Sequence, residues 1–492
     1  MKNICKILLI ITFWLSGDIL SAQINFAPQV LYNSSQGNNV HVTADFDNDG
    51  LSDIIVATGG TSISKFYLWM FKQQSGQLNL HDSMKYTTTN YLQCYSISSG
   101  DLNNNGRKDI ILSYGDTVKI FYQDTVIGFF NENNSQIFVP DSGMVVYGLE
   151  CGDLNGDGLT DFAVTHWLNE NLNVYYQNAN QGFTKVVYYK KIAGRNELIV
   201  SDMNNDGFQD LIVSNGTVFS SLSNGNMYSF AIYLQDTTSH LLQPPLFYAM
   251  DTLTPNSWNS NYCGGIAVGD LDQDGLKDVV VTREQETFIW HHVAGNPVFL
   301  MNPIDTLNSY LGSAPVVITD LNNDSKNEII VSHGGHSDIS VYESDSAFNF
   351  SNYSLLFQWN ASNNCQDEFS VTDMNNDGWV DLITSHELGF AIRFNNQGVG
   401  LNDAFSDNIN FTIYPNPILE GILNVQYLLP QNTTAIFELF DITGKVVFKD
   451  ELRGFESQES FILPNLNNGI YFAMVTAEGI RKISKVVILS KT

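Results

Sequence analysis

The chain has 492 residues, 43% of them hydrophobic, which is room for two or three domains and a large core, so a small scaffold held by disulfides is not required. Its 23 Lys and Arg face 52 Asp and Glu, giving a net charge of -29 and excluding a basic surface able to bind a nucleic-acid backbone by releasing counterions. Carboxylates at this density repel one another unless cations are held among them, so where they sit carries the functional signal.

Residues 1–22 read as a secretory signal peptide. Lys2 and Lys6 precede an apolar run at 7–15 that is too short to span a bilayer, and Leu20, Ser21 and Ala22 lead to expected cleavage after Ala22. Cys5 leaves with this segment. Cys94, Cys151, Cys263 and Cys365 remain, an even number that permits two disulfides or four buried thiols, at spacings that match no zinc pattern.

Residues 23–400 carry an acidic nonapeptide seven times, beginning at Asp45 (DFDNDGLSD), Asp101 (DLNNNGRKD), Asp153 (DLNGDGLTD), Asp202 (DMNNDGFQD), Asp270 (DLDQDGLKD), Asp320 (DLNNDSKNE) and Asp373 (DMNNDGWVD). The starts are 56, 52, 49, 68, 50 and 53 residues apart, enough for four short strands and their turns, which is one propeller blade. Each copy lies between two β-prone runs, such as 40–44 and 54–56, so it reads as the hairpin joining the first two strands of a blade. The runs are apolar without clean alternation, as strands covered on both faces are, and no helical period of useful length follows the signal segment. The fold class expected is all-β, a seven-bladed β-propeller followed by a small β-sandwich. The seventh blade runs out of strands after 390–394, and the orphan segment 25–32 near the mature N-terminus is placed to complete it and close the ring.

Within each copy, side-chain oxygens stand at positions 1, 3, 5 and 9, the carbonyl of position 7 turns inward, and Gly at position 6 allows the sharp turn. That density of oxygen suits a hard cation with six to eight ligands, and Ca2+ fits better than Mg2+. In the first loop the ligands expected are Asp45, Asp47, Asp49, the Leu51 carbonyl and Asp53; in the second, Asp101, Asn103, Asn105 and Asp109. The third offers Asp153, Asn155, Asp157 and Asp161, the fourth Asp202, Asn204, Asp206 and Asp210, and the fifth Asp270, Asp272, Asp274 and Asp278. The sixth offers Asp320, Asn322, Asp324 and Glu328, and the seventh Asp373, Asn375, Asp377 and Asp381. An EF-hand begins similarly but needs a flanking helix and Glu at position 12, where Val56 and Val281 stand here. With four carboxylates each, loops one and five are expected to bind most tightly; loop two, with two Asn and the cations Arg107 and Lys108, is expected to be weakest of up to seven sites. Loop six departs from the pattern at Ser325 and Glu328.

Five residues beyond position 9, the second strands reach the opposite rim at Thr58, Tyr114, His166, Asn215, Arg283, His333 and His386. This ring reads either as donors for an anionic or sugar ligand, with Trp167 or Trp290 as stacking surfaces, or as polar strand ends meeting water. Glu150, Glu197 and Glu368 lie near the channel as possible acid-base groups. The long interval before loop five holds Phe247, Tyr248, Trp258 and Tyr262, which suit a binding loop or a hairpin packed on its own blade.

These loops resemble the FG-GAP/VCBS repeats of integrin-like propellers, with Gly312, Ser313, Ala314 and Pro315 as a remnant of the naming signature. The resemblance implies calcium in the hairpin between the first two strands of each blade. After a polar linker at 401–410, the segment 411–492 resembles the type A C-terminal sorting domain of the type IX secretion system of Bacteroidota, carried by Ile413, Tyr414, Pro415, Asn416 and Pro417, by 441–446, by Gly469, Ile470, Tyr471 and Phe472, and by 482–488. Without the resemblance, alternating segments divided by turn residues suggest only an independent β domain. The function expected is a secreted or cell-surface binding or adhesion module for glycans or proteins, with calcium as a structural staple and no transmembrane span after the signal. The alternative is an extracellular polysaccharide hydrolase or lyase using the rim opposite the calcium loops. No G-x-S-x-G elbow, H-E-x-x-H or phosphate loop is present.

Overall fold

A computed structural model describes residues 24–488, apart from short breaks and the stretches 60–65, 87–93, 190–196, 215–228, 249–263, 294–304, 359–368 and 396–409. The signal-peptide and linker readings, with Asn215, Trp167, Trp258, Tyr262 and Glu368, lie outside the described residues. The chain divides into two compact units, residues 1–397 and 398–492, and every regular element described is a strand.

The first unit holds seven four-stranded antiparallel sheets. Six take their strands in chain order, beginning with Asn38–Ala44, Asp53–Gly59, Phe66–Gln74 and Gln77–Tyr86, and ending with Ser313–Thr319, Glu328–His333, Asp338–Ser344 and Phe350–Gln358. The seventh joins Phe369–Thr372, Asp381–His386 and Gly389–Arg393 to Val30–Asn33 from the start of the chain, in the register Val30 to Ile392 and Asn33 to Gly389. The orphan segment therefore completes the last blade as expected. Its outermost place hides the third strand's edge behind an antiparallel partner.

Second strands such as Asp109–Tyr114, Asp161–His166 and Glu328–His333 are buried at every residue, which explains their unbroken apolar runs. Each core is shared between neighbouring sheets. Ile55 and Leu68 of the first sheet pack with Leu112 and Phe121 of the second, and Ile54, Val56 and Phe71 of the first pack with Ile383 and Phe390 of the seventh. The first strands of successive sheets face one another around the unit. Such cyclic packing is that of a β-propeller, where each sheet buries its two faces on its neighbours. At the closure, Tyr32 stacks on Phe390 with centroids 5.0 Å apart and Phe71 meets the same ring edge-on at 4.9 Å. His41 of the first sheet is buried there between the hydroxyls of Ser385 and Ser370, at 3.0 and 2.8 Å.

Sheets approach closely just before loops two, three and five, at Gly100, Gly152 and Gly269. A Cβ on Gly152 would lie 2.5 Å from the Val200 side chain of the next sheet, so glycine there follows from packing. Cys94 and Cys151 stand in adjacent first strands outside any disulfide, Cys94 fully buried. The long interval before loop five supplies the outer strand Leu246–Tyr248, with Tyr248 buried and Phe247 half-buried against its own blade, so this part packs as a blade hairpin.

The second unit is two facing sheets. One orders Asn410–Tyr414, Ile422–Leu428 and Glu456–Ile462; the other orders Val446–Arg453, Thr434–Asp441, Gly469–Ala477 and Ile480–Ile488. Alternate residues Leu423, Val425, Phe437, Leu439, Ala473 and Val475 form the core between them.

Candidate metal-binding loops

All seven nonapeptides join the first and second strands of a sheet, as the sequence predicted. Their backbone is set by two left-handed residues. Position 4 has positive φ, held by Asn in five loops (Asn48, Asn104, Asn205, Asn323 and Asn376), by Gln273 and by Gly156; position 6 has it through Gly or, in loop six, Ser325 at φ 71°. Asn tolerates this region because its short amide bonds locally, which accounts for its recurrence.

The turn folds the backbone onto its own carboxylates. In loop one Asp45 accepts the N–H groups of Asp49 and Gly50 at 3.1 and 2.9 Å, and Asp49 accepts that of Leu51 at 2.9 Å. Loop seven repeats this with Asp373 accepting from Asp377 and Gly378, and Asp377 from Trp379. Ser325 preserves the pattern by donating its N–H to Asp320 at 2.8 Å.

Position 9 has a second task that the sequence did not reveal. Asp53 accepts the N–H of Phe46 at 3.1 Å with one oxygen and that of Gln73, on the third strand, at 3.0 Å with the other. Asp109, Asp161, Asp210, Asp278 and Asp381 do the same. Glu328, one methylene longer, reaches the Leu321 N–H but turns its other oxygen to the Asn322 amide. The third-strand residue then reaches outward. Gln73, Gln123 and Asn395 donate side-chain amides to Met374, Phe46 and Leu321, each at position 2 of the preceding blade's loop, at 2.6, 2.8 and 2.8 Å. The missed signal was an aromatic-x-Gln repeat at Phe71 and Gln73, Phe121 and Gln123, Tyr175 and Gln177, and Tyr233 and Gln235.

Burial pushes the position-9 acids upward, against the pull of their backbone hydrogen bonds: Asp53 and Asp210 to about 6, Asp109 and Asp381 to about 7, and Asp161 and Glu328 to about 8. Neighbouring loop carboxylates add to the rise in loops one, two, three, four, six and seven. A nearby cation would reverse that balance. The donor set fits one. Oxygens of Asp45, Asp47 and Asp49 lie within 4.8 Å of one another, as do those of Asp270, Asp272 and Asp278, the two loops with four carboxylates. Buried oxygens of Asp47, Asn103 and Asp270 have no hydrogen-bond donor among the described residues. In loops three, four and seven the position-3 amides of Asn155, Asn204 and Asn375 instead donate to the position-5 carboxylate. Two basic side chains missed in the sequence answer the richest loops from one register on the third strand: Lys72 is 3.1 Å from Asp47, and His291 is 3.4 Å from Asp278 and 3.9 Å from Asp272. The side-chain hydrogen bond to Asp278 holds His291 above the usual imidazole range.

The opposite rim is not the exposed ring of donors expected. Thr58, Tyr114, His166 and His333 are buried, because the second strand lies under its neighbours to its very end. His333 bonds Ser340 at 2.7 Å, His166 lies 3.8 Å from Asp141, and Thr58 caps the Tyr67 carbonyl. Arg283 is half-buried, paired with Glu286 and lying over the Phe288 ring. His386 ends its strand, and Trp290 is fully buried against Phe230, so it offers no stacking face. Glu150 accepts from Ser98 and Glu197 from the Ile266 N–H, joining first strands of different sheets.

The FG-GAP-like repeat family matches residues 18–112 and 153–213, and the secretion system C-terminal sorting domain matches 412–489. None of the curated proteins compared with the chain matches it. Among solved structures, an Agrocybe aegerita lectin that recognises non-reducing terminal N-acetylglucosamine is similar at 16% identity and TM-score 0.45, over 65% of this chain and 81% of that one. The Dos1 propeller is similar at 11% identity and TM-score 0.45, over 76% and 96%, and a Lactobacillus plantarum protein at 12% and 0.46, over 67% and 86%. The sorting domain marks export by type IX secretion to the cell surface or the extracellular space, and among the described residues no helix is long and apolar enough to cross a membrane. The chain carries FG-GAP-like repeats on a β-propeller fold, and a secretion system C-terminal sorting domain follows them.

Proposed function

We infer that the propeller is a calcium-stapled binding or adhesion module, presented outside the cell to glycans or proteins. The observation that carries the calcium part is the convergence of three carboxylates in each of loops one and five, each group including one buried oxygen, of Asp47 or Asp270, that no donor among the described residues reaches, in a chain of net charge -29. Positions 1, 3, 5 and 9 with the position-7 carbonyl would hold the ion. Bound Ca2+ supplies positive charge that lets buried carboxylates stay ionised. The residues themselves orient the loop: position 1 gathers the turn's N–H groups, and position 9 ties it to the third strand. Binding is assigned to the module as a whole, since His166 and His333 of the opposite rim are buried.

The test is retention of the purified full chain on a panel of polysaccharides and surface-protein extracts, in calcium and in chelator, with soluble products measured in parallel. Retention that needs calcium and leaves the polysaccharide intact is the expected result. Product formation would replace the reading with a hydrolase or lyase.

A further inference from the structure

We propose that the seven loops bind divalent cations as a coupled ring, each loop's occupancy raising its neighbours' affinity through side-chain bonds that cross from blade to blade. This rests on the calcium reading above.

Position 4 of one loop reaches the next. The amides of Asn48, Asn205 and Asn323 donate to the carbonyls of Gly106, Gly275 and Gly378 at 3.2, 2.7 and 3.1 Å, and that of Gln273 donates to the carbonyl of Ser325. Each acceptor is position 6 of the following loop. Where loop three has Gly156 instead, the ring of Phe208 in loop four fills the space a Cβ would need, at 2.5 Å, and Gln209 accepts the Asp153 N–H at 2.7 Å. Gln177 reaches the Asp101 carbonyl at 3.3 Å, and Gln73 links loop seven to loop one. Five junctions thus carry a direct bond between a loop and its neighbour, and the other two, from loop two to three and from loop seven to one, are bridged by third-strand glutamines whose backbone N–H caps position 9 of their own blade's loop.

The bond acts on a ligand. The carbonyl of Gly378 and the N–H of Trp379 belong to one rigid peptide plane. That N–H donates to Asp377 at 2.9 Å, so Asn323 of loop six and a carboxylate ligand of loop seven hold opposite edges of the same unit. The same plane recurs at Arg107 with Asn105, Leu276 with Asp274 and Lys326 with Asp324. At the donor end, the amide-bearing residue sits between the position-3 and position-5 ligands of its own loop. Ordering those ligands on a cation fixes the amide, which orders the next loop's peptide, and by linkage the effect runs both ways.

Trp379 at position 7 makes loop seven its own reporter, since terbium substituting for calcium there is excited through the adjacent indole. The experiment titrates the full chain with terbium and compares wild type, Asn323→Gly, Asp324→Asn and the double variant, with equilibrium dialysis counting total bound ion and Trp379→Phe identifying the loop-seven signal. Glycine at position 4 is already accommodated in loop three, so Asn323→Gly removes the amide without straining the left-handed backbone; Asn323→Asp, which keeps the size but not the donor, is the second variant. The loss of one hydrogen bond's net contribution predicts that Asn323→Gly weakens loop-seven binding by about 3- to 10-fold. Removing a loop-six ligand with Asp324→Asn is expected to weaken loop seven in the wild-type background and to have a smaller effect once Asn323 is glycine, when only the bond from Asn395 to Leu321 remains. An identical half-saturation in all four chains, or terbium bound without emission through Trp379, overturns the coupling. No terbium bound in dialysis removes the calcium reading itself.

Discussion

Replacing Asp161 by Asn separates the two tasks of a position-9 carboxylate. Asp161 is fully buried and accepts the Leu154 N–H at 2.9 Å on one oxygen and the Gln177 N–H at 2.7 Å on the other. Asn has the same shape but one acceptor, so one of these N–H groups must face an amide donor where Leu154 and Gln177 admit almost no water, at 0% and 3% exposure. A buried donor left unsatisfied costs about 1–3 kcal/mol. Burial pushes Asp161 up to about 8, so the comparison is made above that pH, where both oxygens accept; loss of a charge that burial disfavours then offsets part of the cost and puts the expected effect in chelator toward the lower end. Asp157→Asn in the same loop is the comparison. Asp157 is exposed and keeps its bond from the Leu159 N–H as an amide, so its stability in chelator should stay within about 0.5 kcal/mol of wild type, while its calcium-dependent gain falls. Urea unfolding of both variants, with and without calcium, reads the difference. Wild-type stability of Asp161→Asn in chelator, or equal behaviour of the two variants, would refute the assignment of position 9 as the tie between loop and third strand.

Three further outcomes follow from the closure and from loop six. Burial lowers His41 from 6.5 to about 4, so the folded state resists its protonation; its stabilising effect is full above pH 6.5 and is lost as pH falls toward 4, by about 3 kcal/mol at about 1.4 kcal/mol per unit. His41→Gln should flatten that slope in urea unfolding measured across the same range, and an unchanged slope would contradict it. Phe390→Ala empties the ring shared by Tyr32 and Phe71 and should cost about 3–5 kcal/mol, read as early release of the N-terminal strand in hydrogen exchange; protection of 30–33 equal to wild type would count against it. Ser325→Gly relieves a non-glycine residue at φ 71° whose side chain is exposed, and should raise the unfolding free energy in urea by up to about 1 kcal/mol; a loss of stability would show that Ser325 does more than fill the turn.

The repeat made the architecture legible. Seven acidic hairpins in one register placed the first and second strands of every propeller sheet, and the missing fourth strand of the last blade pointed to 25–32, whose end pairs within the strand Val30–Asn33. The rim failed because position along a strand was taken for exposure: His166 and His333 end second strands whose neighbours cover them to the last residue. Loop geometry was read from its own nine residues, so partners from elsewhere were invisible. Gln73 and Gln123 cap a carboxylate through the backbone, which any residue can do, and only their side chains betray the contact to the preceding blade. Lys72 and His291 share a register that emerges only when the third strands are aligned by pairing.

The most direct measurement of the central claim is the number of calcium ions held by the full chain, counted by native mass spectrometry and matched to thermal unfolding in calcium and in excess chelator. Several bound ions, up to seven, with a midpoint that falls by several degrees on chelation, are predicted from mass action on loops that bind only when folded. A chain that carries no calcium and unfolds at the same temperature in both conditions would contradict the account.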